Sequence, residues 1–240
     1  MLDFASVAAD SHAGRVRSRN EDAWAVVAEV GALVVADGMG GHAGGGVASR
    51  LAVERAAHVL RTGAVATAVD AVLAANAAVV EGARAGGPAL HGMGTTLVVL
   101  RIAQGLLDLA WVGDSRAYLL RAGRLRQLSH DHTHVQDLVD AGLISAAAAE
   151  HHPQRHVLTR TVGTPGLARD DVGVLRMPAR AGDRVLLCSD GLTGELGEHS
   201  LVACLQGQSD DNVATASLID RALRAGGRDN ITVALATLDE

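Results

Sequence analysis

The chain has 240 residues, 48% of them hydrophobic, which is enough to bury a substantial core in one ample domain. Its formal charge is -6 and all 21 basic residues are arginine, which argues against nucleic acid as the main partner and removes the lysine that a phosphate-cradling P-loop needs. Two cysteines are too few for a disulfide framework, the first residues lack a signal-peptide pattern, and no segment has the apolar length of a membrane span, so a reduced cytoplasmic setting with no membrane partner is expected.

In chain order, the charged turn "GRVRSRNEDAW" carries Arg17, Arg19, Glu21 and Asp22 just before a strand; Arg15 and Arg19 read as solvated. "WAVVAEV" and "ALVVA" flank Gly31 as a first hairpin, and the second strand runs into Asp37 and the glycine-rich "DGMGGHAGGG". Two alanine-rich segments of helical length follow, one with Val53, Ala56, Ala57 and Leu60 on a face, the other with Val65, Val69, Val72 and Val79. Gly86-Gly87-Pro88 marks a loop, after which "TTLVVLRI" and "LLDLAWV" flank Gln104-Gly105, and "RAYLLR" and "LRQLS" flank Ala122-Gly123, as two more hairpins.

The histidine-rich segment 129–166 breaks the alternation and reads as a flap, with "HTHVQDLVDAG" helical up to Gly142. "DRVLLCS" is a strand with Cys188 as a buried thiol, "NVATASLIDRALRAGG" a helix closed by glycine, and "NITVALATL" a final strand. Antiparallel sheets interleaved with helix pairs imply an α+β layered fold, and no composition shift divides residues 1–240 into separate domains.

Asp37, Asp114 and Asp190 each end an apolar run in a tight, glycine-bearing context, and Asp229 stands just before one. A single such residue is usually a turn acceptor. Four gathered at one sheet end would repel one another and resist ionisation unless cations sat between them. Carboxylates, the Gly38 carbonyl and water suit Mg²⁺ or Mn²⁺ better than zinc. Arg17 beside such a site would bind a phosphate dianion bidentately, which points to phosphoryl chemistry in which a water bridged by two cations attacks phosphorus in line.

The motifs "VRSRNED", "VVADGMGGHAGG", "GMGTTL", "VGDSRAYLLR", "HVLTRTVG", "GDRVLLCSDGL" and "GGRDNITV", in that order over nearly the whole length, resemble the metal-dependent protein phosphatases (PPM, the type 2C serine/threonine phosphatases), in their compact bacterial form. The resemblance implies a four-layer α-β-β-α sandwich, with two central antiparallel sheets flanked by helix pairs and the metal centre in a cleft. It implies Asp37 as the bridging metal ligand and Gly38 as a carbonyl ligand. Asp190 and Asp229 become ligands of the first metal, and Glu21 helps hold the second through water. Arg17 becomes the phosphate-binding arginine, Asp22 a carboxylate behind the ligands, Asp114 a ligand of a weaker third metal, and Asn230 the group that orients its neighbour. Two tightly bound Mn²⁺ or Mg²⁺ ions, phosphoprotein substrates, a cognate bacterial Ser/Thr kinase and a monomeric state follow from the same resemblance.

Three features depart from the family pattern. Met39 stands where some eukaryotic relatives carry a histidine proposed as the general acid, so no general acid is assigned. Gly46 replaces a glutamate of many bacterial members at a helix start. The flap histidines His130, His132, His134, His151, His152 and His156 read as exposed polar residues rather than a zinc site, and His42 as a loop residue near the cleft. A catalytically silent binding module and a stand-alone cation sensor are the alternative classes. Retention of the principal acidic residues argues against the first, and a guanidinium in the cleft against the second.

Overall fold

The computed structural model describes residues 3–40, 44–63 and 66–239; His42 and Val65, both singled out above, lie outside the described residues. The first strand, β1 (Asp3–His12), has no apolar run to announce it. β2 (Asp22–Val27) and β3 (Ala32–Met39) form the first expected hairpin, and α1 (Gly44–Thr62) and α2 (Ala68–Ala85) the expected helical pair. Helix α2 starts where it does because Thr67 and Asp70 cap it reciprocally: the Thr67 hydroxyl accepts from the Asp70 N–H and the Asp70 carboxylate from the Thr67 N–H.

After the short β4 (Gly94–Thr95) come the hairpins β5 (Leu97–Ala103) with β6 (Leu106–Val112) and β7 (Arg116–Arg121) with β8 (Arg124–Gln127). Gln104 and Gly105 have φ of 53° and 73°, and Ala122 and Gly123 have 49° and 75°, so each turn uses two left-handed residues whose twist matches that of the strands. The remaining elements are α3 (His134–Asp140), α4 (Ala146–Glu150), β9 (Gly173–Pro178), β10 (Arg184–Cys188), α5 (Asp190–Thr193), α6 (Glu198–Gly207), α7 (Asp211–Ala225) and β11 (Ile231–Asp239).

One sheet has the order β1-β11-β10-β7-β8 and the other β2-β3-β5-β6-β9, with β4 beside β3. The strands pair antiparallel throughout. Because successive side chains of a strand point to opposite faces, β3 sends Leu33 and Val35 into the layer between the sheets, where they meet Leu187, Ala234 and Ala236. Val34 and Ala36 point the other way, against Ala52, Ala56 and Val72 of the first helix pair. The second sheet face buries Leu186, Val233 and Leu235 under Leu201, Leu205 and Leu218 of α6 and α7. Three apolar layers between four layers of elements give the expected α-β-β-α sandwich. Each fully buried leucine contributes about 2 kcal/mol through removal from water.

Segment 129–166 is pinched at its base, where Thr133 bridges Leu158 and the Thr159 N–H donates to the His132 carbonyl (2.9 Å). Its far end is held by Asn76, which accepts from the Gly163 N–H (2.7 Å) and donates to the Thr164 carbonyl (3.1 Å). Between these anchors most side chains are exposed. One expectation fails here: His132 is buried, stacked on Trp111 with ring centroids 6.4 Å apart. Its Nδ1 accepts the Gly113 N–H, so it packs the flap root against the β6 end. Among the described residues no helix is long and apolar enough to cross a membrane.

Candidate active site

The cleft lies at the strand ends of both sheets, with the flap as one wall and a volume of about 780 Å³. Asp22 and Asp37 face each other in register on β2 and β3, Asp190 opens α5 with one residue between it and the end of β10, and Asp229 is separated from β11 by Asn230 alone. Asp114 follows the left-handed Gly113 at the end of β6. Arg17, Glu21, Asp37, Asp114, Asp190 and Asp229, distant in sequence, all line this one cleft. They come from two sheets rather than from a single sheet edge.

Asp37 is held by its backbone. Its N–H donates to Thr96 Oγ1 (2.9 Å), and its carbonyl accepts from the Thr96 N–H (2.8 Å) and Thr95 Oγ1 (2.8 Å). Thr96 Oγ1 also shares a 2.6 Å hydrogen bond with Ser115 Oγ, next to Asp114. The "GMGTTL" motif gave these threonines no role; buried side-chain hydroxyls beside a strand-end aspartate were the available signal. Gly38 is required by close approach: a Cβ there would lie 2.2 Å from the Gly45 carbonyl oxygen and 2.5 Å from that of Glu21. A Cβ at Gly46 would meet Arg50 at 3.3 Å, so the arginine occupies the space beside that glycine.

Burial, then repulsion from Asp22, Asp190, Asp114 and Asp229, holds the Asp37 carboxyl well above the usual carboxylate range. Burial also raises Asp114 to about 7, with Asp190 adding to the effect. Asp22 is likewise pushed to about 7 by burial, although Ser189 Oγ (2.8 Å) and Thr232 Oγ1 (2.6 Å) donate to its Oδ2. Its Oδ1 is buried without a partner. Asp22 is therefore held by two hydroxyls and is not part of the cleft lining.

Arg17 grips Asp229 through Nε (2.9 Å) and a terminal nitrogen (2.7 Å). Asn230 binds the turn that carries Arg17 and Glu21: its Oδ1 accepts the Glu21 N–H (2.8 Å), and its Nδ2 donates to the carbonyls of Ala13 and Arg19 (2.9 Å each). Its backbone N–H donates to Asp229 Oδ1 (2.9 Å). His156 supplies an unforeseen contact, with Nδ1 3.4 Å from Asp190 Oδ2 and a pKa raised chiefly by that interaction. A histidine in a segment expected to face the cleft was the signal for it.

Several carboxylates facing one guanidinium make a donor set for hard divalent cations. Among the described residues no group of three or more acidic, imidazole or thiol side chains is drawn together closely enough to hold a metal ion by itself. Carboxylates spaced around a cleft suit Mg²⁺ or Mn²⁺, which bind through a few carboxylates and retain several waters, better than a four-coordinate structural zinc. The partnerless Asp22 Oδ1 and the crowded Asp37 carboxyl agree with that chemistry.

A family model described as Protein phosphatase 2C matches residues 10–235. The serine/threonine protein phosphatase PstP of Mycobacterium tuberculosis is 42% identical over 234 residues, which cover 95% of this chain and 44% of that protein, so the chain spans less than half the length of that relative. The serine/threonine phosphatase stp of Listeria monocytogenes is 38% identical over 237 residues, 94% of this chain and 93% of that one. A crystal structure of the catalytic domain of PstP in complex with two manganese ions aligns over 100% of both chains, with 38% identity and a TM-score of 0.88.

Proposed function

The chain belongs to the protein phosphatase 2C family, and on that premise we propose that it is a metal-dependent protein serine/threonine phosphatase. In this reading residues 1–240 form one catalytic domain that acts as a monomer, hydrolyses phosphoserine and phosphothreonine in proteins, and opposes a bacterial Ser/Thr kinase. The observation that carries it is the convergence of Asp37, Asp190, Asp229 and Arg17 on one cleft.

Asp37, Asp190, Asp229 and the Gly38 carbonyl would hold two Mn²⁺ or Mg²⁺ ions, with Glu21 assisting through water and Asp114 contributing to a weaker third site. When bound, such ions supply Lewis-acid charge and a water acidified enough to attack phosphorus. The chain's own groups do the rest. Arg17 presents a planar fork to the phosphate oxygens and keeps the ester in place as negative charge develops. Asp37 is held rigid by Thr95 and Thr96 so that its carboxylate need not reorganise during reaction. Asp22 and Asn230 fix the turn and the ligands from behind. Segment 129–166 lines one side of the cleft with His156, Leu158 and Thr161.

Hydrolysis of a small aryl phosphate, measured with and without Mn²⁺ and then with Asp190→Asn, tests the proposal. Activity should need the ion and fall by about 10²-fold or more in the variant. Full activity in chelator, or an unimpaired variant, would refute it.

A further inference from the structure

Beside the cleft lies a second, smaller groove of about 130 Å³, between the tip of the flap and the start of β11. The two share His156, Asp190 and Asp229 as lining, so they are continuous. The groove's outer wall carries Arg155 from the flap and Arg228 from the turn before β11. None of the roles given above uses either arginine.

The charge of this groove can be worked out from its contacts. Its one carboxylate outside the cleft, Glu195, has a side chain only 3% exposed and is saturated by Arg228, whose N–H, Nε and terminal nitrogen all donate to it at 2.9 Å. Glu195 is thus neutralised by Arg228. The Arg228 guanidinium remains 69% exposed. Arg155 is exposed, and its side chain makes no hydrogen bond or ion pair among the described residues. Asp229, at the inner end, is already paired with Arg17. Asp190, which lines both spaces, stands 3.4 Å from His156 Nδ1 at the same inner end. The outer groove therefore offers an unpartnered guanidinium and half of another, and the carboxylates left to answer them, Asp190 and Asp229, belong to the cleft.

We propose that this groove is a substrate subsite that binds an acidic side chain adjacent to the phosphorylated residue, with Arg155 as its main determinant. The inference rests on the phosphatase reading and narrows it to phosphopeptides with acidic flanks. Neighbouring residues of an extended peptide are about 3.8 Å apart. A phosphoresidue in the cleft therefore places the next side chain or two at the groove. A carboxylate suits the site because arginine binds it as a planar fork, whereas a lysine neighbour meets like charge.

The test uses phosphothreonine peptides bearing Glu, Ala or Lys on one side of the phosphoresidue and then on the other, with kcat/KM measured in Mn²⁺ at low and high salt. On one side Glu should exceed Ala by about fivefold, the scale of one exposed ion pair, and the advantage should shrink with salt. Arg155→Gln should abolish the preference and Arg155→Glu should turn it toward the Lys peptide. Equal rates for the three peptides, or an Arg155→Glu variant with unaltered ranking, would overturn the proposal. A chain that hydrolyses an aryl phosphate yet ranks the peptides equally refutes the subsite alone; one that hydrolyses neither ester refutes the phosphatase reading as well.

Discussion

Arg17 and Asp229 are joined by two hydrogen bonds, of 2.9 and 2.7 Å, across a cleft that both of them line. The same fork geometry is what a phosphate dianion would receive, so the arginine has two competing anionic partners. Arg17→Ala should raise KM for a phosphate ester by about tenfold or more, the worth of a hydrogen bond to a charged group. Mn²⁺ affinity, read by calorimetric titration, should be preserved. Unchanged KM would remove the phosphate-binding role.

Asp114 lines the cleft from the turn that His132 and Ser115 tie down. Asp114→Ala should lower turnover while two Mn²⁺ ions still bind tightly by titration. Normal turnover at limiting Mn²⁺ would remove the third-metal role.

Chelated protein should show an unusual dependence of stability on pH. Asp22 and Asp114 are raised to about 7 in the fold, against about 3.9 in an unfolded chain. Between those values the folded state binds more protons than the unfolded one, so stability falls as pH rises through that window. The melting temperature in chelator should be higher at pH 5.5 than at pH 8. Mn²⁺ should raise it most at pH 8, where protons no longer compete for the carboxylates. A melting temperature in chelator that rose from pH 5.5 to 8 would contradict this.

Thr96→Val removes the hydroxyl that accepts the Asp37 N–H and links it to Ser115. A buried donor left without a partner costs about 1–3 kcal/mol, which urea unfolding would register. kcat should fall too, because Asp37 loses an anchor. A variant with wild-type stability and turnover would show the link to be dispensable.

The parts of the fold legible in the sequence are those with strong periodicity and explicit punctuation. β5 and β6 announce themselves by largely apolar runs, each broken by one charge (Arg101, Asp108), around a two-residue turn, since both sheet faces are buried. β1 was missed because it is an edge strand of small and polar residues, with Ala8 as its one fully buried position. β9 is likewise an edge strand, alternating between partly buried and exposed side chains. α6 buries only Leu201, Cys204 and Leu205, too few turns for a convincing period. At the site, the aspartates were readable because each stands at the end or the start of an apolar run. His156 and the threonines behind Asp37 left only a weak signal, since their contacts exist only once distant segments meet.

The acidic residues are divided between two sheets, and the exposed turn at Gln104-Gly105 lies between Asp37 and the group formed by Asp114, Asp190 and Asp229. A single backbone cut there would leave each fragment with an incomplete set of acids and half of a shared apolar face. Neither piece would work alone, and reunion of the two should restore the centre, which makes that turn a natural place to split the molecule into a reconstitutable pair.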